Sequence, residues 1–297
     1  CQAPKRASGH APQSMASRDM FRLLLSLLLI GLPSMAVRAS DLPKVVSLNM
    51  CADPYLMAFA APEQILALSS LSRDPALSPF HQAAKHYPVT FGGLEDILAL
   101  QPDIVIVSPY SSPMKQSLLK QYGIRVVAMA SSQNFASAGE EILALGAAIG
   151  QATKAASYWQ DLQAQLQAVS RGARGITVLP LQRRGLTVGD EHILWQVMQL
   201  AGATPANVLD TKTEALAPLN LEQAIGSKAD AILMSAPIGL PSDRGVEFLT
   251  HPALKHRFPE DRRLYLDSRL TTCSGAATPL AVAQLAEALA KINGTSR

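Results

Sequence analysis

The stretch LEDILALQPDIVIVS at residues 94–108 has a relative at 221–235, LEQAIGSKADAILMS. Each begins Leu-Glu and carries an Asp eight residues after that Glu: Glu95 to Asp103, and Glu222 to Asp230. Each then runs from the Asp into an apolar segment that ends in Ser. These apolar segments lack the alternation of a strand with one wet face, so they read as strands buried on both sides, as in parallel sheets covered by helices. A chain that writes this helix-then-strand unit twice, 127 residues apart, is constrained to two α/β bodies of similar plan. Core packing accounts for the apolar positions. A Glu in a first helical turn is favoured by the helix dipole by ~0.3–1 kcal/mol, which suits both copies equally.

The surrounding order agrees. KVVSLN (44–49) reads as a short buried strand, ADPYLMAF as helical with Leu56, Phe59 and Ala60 on one face, and Pro62-Glu63 as the start of another helix. SSLSRDPALSPF is polar and Pro-punctuated, hence loop. SPMKQSLLKQYGIRVVAMA reads as a helix stopped by Gly123 and then a strand. Residues 137–170 contain no Pro and are rich in Ala, Leu, Gln and Glu. They read either as one helix of up to ~50 Å or as two with a break near Gly150, a rigid connector between lobes. After it, GITVLPL, EHILWQVMQLAGA, the second copy, VEFLTHPALKHR, RRLYLD and TPLAVAQLAEALAKI repeat the strand–helix order. The expected fold is therefore α/β: two Rossmann-like lobes with parallel sheets, residues 40–136 and 173–297, joined by a connecting helix at 137–172; the resemblance described below adds a ligand cleft between the lobes.

Residues 1–39 read as a leader. MFRLLLSLLLIGLPSMAVRAS has a basic flank (Arg22), an apolar run (Leu23–Leu32) and small residues up to Ala39, the pattern of a cleavable secretory signal. The run is far short of the ~20 residues of a spanning helix. Translation is expected to start at Met15 or Met20. No Cys stands at the cleavage point, so a soluble periplasmic product is expected rather than a lipid-anchored one. The formal charge of +3 is carried by this leader; the remainder has 21 Lys+Arg against 22 Asp+Glu. A near-neutral body offers no basic stripe, so nucleic acid is not an expected partner.

VVSLNMCADPYLMAFAAPEQILALS, GGLEDILALQPDIVIVSPY and LNLEQAIGSKADAILMS, joined by a long helix, resemble the substrate-binding proteins of ABC importers for cobalamin and iron–siderophore complexes. The resemblance covers residues 44–290. It implies capture of a metal chelate (cobalamin, ferric siderophore or haem-like) in the cleft of a monomer and delivery to a dimeric inner-membrane permease. It also implies docking of Glu95 and Glu222 on permease arginines, with no resident cofactor and no enzymatic activity. Within that frame, cleft residues are expected on loops after the strand carboxyl ends. LNMCADPY, SLSRDP, SPYSS, VGDEHILW, SAPIG and DSRLTTCSG qualify. Tyr55, Tyr110 and Trp195 are candidate walls, and Asn49, Arg73 and Arg269 candidate hydrogen-bonding groups. Cys51 and Cys273 fall in these loops and in different lobes. In an oxidising compartment they are either a disulfide across the cleft or two separate thiols. Where relatives follow the second Cys with a Gly-Gly-Pro-Trp-like run, this chain has SGAATP, without the aromatic.

Two other readings are open. A bare transition-metal binder would need three or four converging His, Asp or Glu ligands. His81, His86, His192, His251 and His256 show no such spacing. A thiol hydrolase would use Cys51 as nucleophile with a nearby His. The sequence contains no HExxH, CxxC, G-x-S-x-G or phosphate-binding loop motif.

Overall fold

In the computed structural model, the described residues are 42–130, 134–169, 175–206, 208, 216–236 and 244–294. The leader, with its expected start and its cleavage site near Ala39, lies outside them, as does most of SAPIG.

The first lobe runs β1 (Val45–Ser47), α1 (Asp53–Phe59), β2 (Ile65–Ser69), α2 (His81–Ala84), β3 (Val89–Thr90), α3 (Leu94–Leu100), β4 (Ile104–Val107), α4 (Pro113–Gln121) and β5 (Arg125–Ala128). Its five strands lie in the order β3-β2-β1-β4-β5, all parallel. Two helices follow, α5 (Phe135–Ala148) and α6 (Ala152–Ala168). The second lobe contains β6 (Thr177–Pro180), β7 (Leu186–Val188), α7 (Ile193–Ala201), β8 (Thr204–Pro205), β9 (Leu216–Pro218), α8 (Leu221–Gly226) and β10 (Ala231–Ala236). It closes with α9 (Glu247–Thr250), α10 (Pro252–Arg257), β11 (Arg263–Asp267), α11 (Arg269–Thr272) and α12 (Thr278–Gly294). Its main sheet has the order β11-β10-β6-β8, again parallel, and β7 pairs with β9 antiparallel beside it. The two main sheets share one plan, with β1, β4 and β5 of the first lobe answered by β6, β10 and β11 of the second.

The repeated unit occupies equivalent places. α3 leads into β4 beside β1, and α8 leads into β10 beside β6. The repeated Asp explains itself. Asp103 Oδ2 accepts the Lys44 N–H at 2.6 Å, and the Asp103 N–H donates to the Lys44 carbonyl at 3.0 Å. In the second lobe Asp230 Oδ2 accepts the Thr177 N–H at 2.8 Å, and the Asp230 N–H reaches the Thr177 carbonyl at 2.7 Å. In both copies the Asp clasps the entry of the central strand and sets the register of the pair. The helix starts differ: Asn220 and Gln223 form a capping box on α8, whereas α3 begins at Gly93 without a side-chain cap.

One expectation is corrected, and one open choice is decided. ILALS, expected as helix after Pro62-Glu63, is strand β2. Pro62–Gln64 make only one 3-10 turn, and the Gln64 side-chain amide donates to the Pro43 and Ile149 carbonyls at 3.0 and 2.9 Å, anchoring the chain where the strand begins. A five-residue strand then fits between β1 and β3. The connector is not a single helix. Gly150 has φ +74, a conformation that costs glycine little, and there the chain turns so that α5 and α6 pack on one another. The packing is close because the facing residues are small. A Cβ on Gly146 would lie 2.2 Å from the Ala155 Cβ, and one on Gly139 2.5 Å from the Trp159 ring. The core of the first lobe includes Ile142, Leu145, Ala155 and Leu162, while Leu166 touches the cores of both lobes. α6 therefore serves as the bridge.

Gly146→Ala is expected to force α5 and α6 apart and destabilise the chain by about 1–3 kcal/mol, the usual range for overpacking. Urea unfolding checks this; an unchanged midpoint would mean that the hairpin is looser than its small residues suggest.

Candidate functional site

The carboxyl ends of both parallel sheets lead to one place. Cys51 follows β1 by four residues and Cys273 follows β11 by six. They form a disulfide with Cα atoms 5.4 Å apart, closing a sequence separation of 222. On a chain-entropy argument a loop of that size contributes about 5 kcal/mol. Beside it the Tyr55 hydroxyl donates to the Ser274 carbonyl at 2.7 Å, and Arg269 Nη1 donates to the Pro75 carbonyl at 2.8 Å. Gly275 has φ +98, and a Cβ there would lie 2.1 Å from the Tyr55 hydroxyl oxygen. Only glycine allows α1 this near. Apolar contacts cross in both directions, since Phe80 packs on the core of the second lobe and Ala276 on that of the first. The space left at the junction is about 20 Å³.

Each lobe also carries a larger cavity beside its strand carboxyl ends. In the first lobe a cavity of about 340 Å³ is lined by Leu48, Ser69–Leu71, Thr90–Gly92, Ser111, Ser112 and Lys115, all at or beyond strand carboxyl ends. Two of its lining residues, Phe91 (89% exposed) and Leu71 (49%), are large apolar side chains open to solvent, and the exposed Tyr110 (91%) and Met114 (74%) flank its lining residues Ser111, Ser112 and Lys115 in sequence. In the second lobe a cavity of about 320 Å³ is lined by Gln182, Arg183, His192, Ser268, Thr271 and Thr272 with four aliphatic residues. Both walls are mixed: the first sets Ser, Thr and Lys115 beside Leu48, Leu71 and Phe91, and the second sets Gln182, Arg183, His192, Ser268, Thr271 and Thr272 beside aliphatic side chains.

The expected residues divide. Tyr110 stands exposed, next in sequence to the lining of the first cavity. Asn49, Tyr55, Arg73, Trp195 and Arg269 do not present themselves as expected. Asn49 is buried: its amide donates to the Met129 carbonyl at 2.8 Å and its oxygen accepts the Cys51 N–H at 2.9 Å, so it shapes the turn that presents Cys51. Tyr55 is buried as a lobe-to-lobe tie, and its hydroxyl pKa is raised by burial. Arg73 directs its guanidinium at the carbonyls of Ala84 and Tyr87, stitching the loop after β2 to α2. Trp195 is half-buried against the core of the second lobe. Arg269 holds Asp267 with Nε and Nη2, at 2.8 and 2.5 Å from Oδ2, and bridges the lobes with Nη1. Glu95 and Glu222 are exposed on the first turns of α3 and α8. Sequence reasoning passed over Gln182, Arg183, Phe91 and Leu71. The signal available was the Arg-Arg-Gly turn: Arg184 and Gly185 both have positive φ, +62 and +70.

Beneath the first wall lies Asp53, fully buried at the start of α1. Its Oδ2 accepts the Ser69 N–H at 3.0 Å and the Ser72 hydroxyl, which pins the cleft loop 69–73. Burial raises its pKa to about 7, against the lowering effect of the serines. Among the described residues no group of three His, Cys, Asp or Glu is placed to hold a metal ion, and no helix is long and apolar enough to cross a membrane.

Residues 45–257 match the periplasmic binding protein family. The chain belongs to that family. It is a family of binding proteins, and the match spans both lobes and the bridge. No curated protein matches the chain in sequence. Among solved structures, a periplasmic heme-binding protein from Pseudomonas aeruginosa is 22% identical, with a TM-score of 0.61, covering 84% of this chain and 92% of that one. The apo form of a periplasmic heme-binding protein from Roseiflexus sp. RS-1 is 21% identical, with a TM-score of 0.64 and coverage of 84% and 98%. The periplasmic vitamin B12 binding protein of Vibrio cholerae is 19% identical, with a TM-score of 0.55 and coverage of 85% and 98%. At these identities the likeness establishes the shared two-lobe fold.

Because the Asp53 pKa in the fold lies above its ordinary 3.8, its contribution to stability is complete below about pH 4 and is lost as pH rises through about 7. Asp53→Asn is expected to remove that component, so stability relative to wild type improves between pH 5 and pH 8. Thermal melts across this range test it; parallel curves for the two proteins would refute a neutral buried carboxyl.

Proposed function

We propose that this chain is an exported solute-binding protein that captures a metal chelate between its lobes and hands it to an ABC importer. The observation that carries the reading is a pair of cavities, one in each lobe, after the strand carboxyl ends, where α/β proteins bind ligands. The exposed Leu71, Phe91, Tyr110 and Met114 suit a large flat or shell-like apolar surface. Neighbours described as heme- and vitamin B12-binding proteins support this class of cargo. The metal arrives inside the cargo, so the protein needs no resident cofactor, and nothing in the cleft calls for catalysis. The disulfide occupies Cys51, which leaves a thiol hydrolase without its nucleophile. Export by a cleavable signal fits both the leader and a lobe-spanning disulfide.

Glu95 and Glu222 belong to this reading as docking points. Each projects from the same place in its lobe, so the pair can register one rigid body on a dimeric permease, one carboxylate per subunit. Exposed ion pairs contribute only ~0–1 kcal/mol each, so they set orientation and encounter rate more than affinity.

Thermal melts of the purified protein with hemin, cyanocobalamin and a ferric siderophore test the cargo. A true ligand at a hundredfold excess over its Kd stabilises by about 2.7 kcal/mol; no shift with any of the three would refute the chelate reading. The double variant Glu95→Ala/Glu222→Ala should retain ligand affinity and lose uptake in cells, and normal uptake would dismiss the docking assignment.

A further inference from the structure

Among the described residues Asp53 is the only buried acid, and it lies where a wall of the first-lobe cavity is made. A 3-10 turn, Ser70–Arg73, follows β2 there. Ser69, Ser70 and Leu71 line the cavity, and the turn is held from two sides. On one side Asp53 Oδ2 accepts the Ser69 N–H at 3.0 Å and the Ser72 hydroxyl. On the other the Arg73 guanidinium donates to the carbonyls of Ala84 and Tyr87. An arginine keeps its charge at any ordinary pH, so only the first hold can titrate. Asp53 Oδ1 is buried and has no hydrogen-bond partner among the described residues. Ser47 is near enough to lower the pKa of the carboxyl, but its hydroxyl proton goes to the Asn49 carbonyl at 3.2 Å.

This arrangement suits a neutral carboxyl better than an ionised one, because a buried charge needs donors or a counter-charge around it. The surrounding elements bring no counter-charge. β1 presents Ser47, and β2 with its turn presents Ser69 and Ser72. α6 directs Tyr158 at Tyr55 and Phe59, and burial pushes that phenol up to about 12. His81 of α2 bonds the Ser78 carbonyl through Nδ1 at 3.0 Å, and Asp74 accepts the Ala76 N–H at 2.7 Å. Lys115, in the cavity lining, donates to the Gly92 carbonyl at 2.8 Å. Burial therefore prevails over the three serines and raises the Asp53 pKa from 3.8 to about 7. If the turn swings away, water reaches the carboxyl and its pKa returns to the ordinary value. Opening is then linked to the loss of a proton, so it becomes easier as pH rises from about 4 to about 7 and levels off above that.

We propose that Asp53 is a positioning residue for the first-lobe cavity: its neutral carboxyl locks the turn that carries Leu71 into the cavity wall, and its ionisation frees that turn. The wall is firm in an acidic medium and opens more often as the medium approaches neutrality. The lock stands on the buried carboxyl and the turn it holds. Its consequence for cargo, faster release as pH rises, rests on the chelate reading of the cavities.

Hydrogen exchange of the 69–73 amides, corrected for the intrinsic pH dependence of exchange, reads the opening of the turn in wild type and Asp53→Asn between pH 5 and pH 8. The β4 amides report global unfolding in the same samples. In wild type the opening constant of the turn should rise about tenfold per pH unit from pH 5 to pH 6.5 and level off above pH 7, the slope for one proton released. In Asp53→Asn it should stay flat; His81 and His86 are common to both proteins, so the difference belongs to Asp53. Ser72→Ala keeps the carboxyl but removes part of its hold, and should raise the opening constant at pH 5 by roughly threefold or more. Matching profiles in wild type and Asp53→Asn overturn the lock. So does a turn that shares one opening constant with β4 at every pH, because the wall would then move only on global unfolding. An opening constant unchanged in Ser72→Ala overturns it even where Asp53→Asn fails to fold. Transfer of bound hemin to apomyoglobin should quicken roughly tenfold or more between pH 5.5 and pH 7.5 in wild type relative to Asp53→Asn. Equal pH dependence of transfer in the two overturns the coupling to cargo and leaves the chelate reading intact. If hemin, cyanocobalamin and a ferric siderophore all fail to bind, the chelate reading falls, while the exchange profiles still decide the lock.

Discussion

The contact on which the architecture depends is the insertion of Tyr55 against Gly275. The two lobes share no sheet, and the chain passes between them through α6. A second point of attachment must come from side chains, and here a buried phenol crosses from α1 to the carbonyl of Ser274. It can do so because the next residue has no side chain to meet it. Around that contact the disulfide, the Arg269 bridge and the exchanged Phe80 and Ala276 fall into place. With α6 as one attachment and this junction as the other, the lobes are tied to one another at two places.

The fold was largely legible because its strongest determinants are local. Apolar runs without alternation, such as IVIV at 104–107, announce strands covered on both sides, and the recurrence of Asp103 as Asp230 announces that two lobes use the same joint. Gly150 marked the place where the connector turns. ILALS misled because four apolar residues in a row fit a buried strand as well as a helix; the Gln64 amide, bonded to Ile149 far along the chain, decides between them. The short β7 and β9 have no pattern that survives their length. They exist because the Arg-Arg-Gly turn sends Leu186–Val188 back alongside Leu216–Pro218.

The site was legible by region and not by residue. Both cavities lie at loops after the strands, yet several side chains singled out there serve the fold. Asn49 and Arg73 are polar groups whose partners are backbone carbonyls 11 to 80 residues away, and no local pattern reveals such a partner. Buried polar groups are held by hydrogen bonds as a rule, so a polar residue in a cleft loop is as readily a strut as a contact. Tyr110 and Phe91 differ because large apolar side chains left so exposed have no structural account within the lobe.

The disulfide also bears on how the molecule comes into being. Cys51 stands near the start of the folded body and Cys273 near its end. In synthesis from the N-terminus, the first thiol arrives long before its partner. The strands of the first lobe are local to one another and can assemble meanwhile, but the crossing bond must wait until β11 and the segment after it are made. After residue 1 the chain offers no third cysteine with which to mispair. Oxidation is thus a late event that registers successful assembly of both lobes. A chain whose second lobe fails to fold would carry a lasting free thiol, open to capture by the oxidative folding machinery of its compartment.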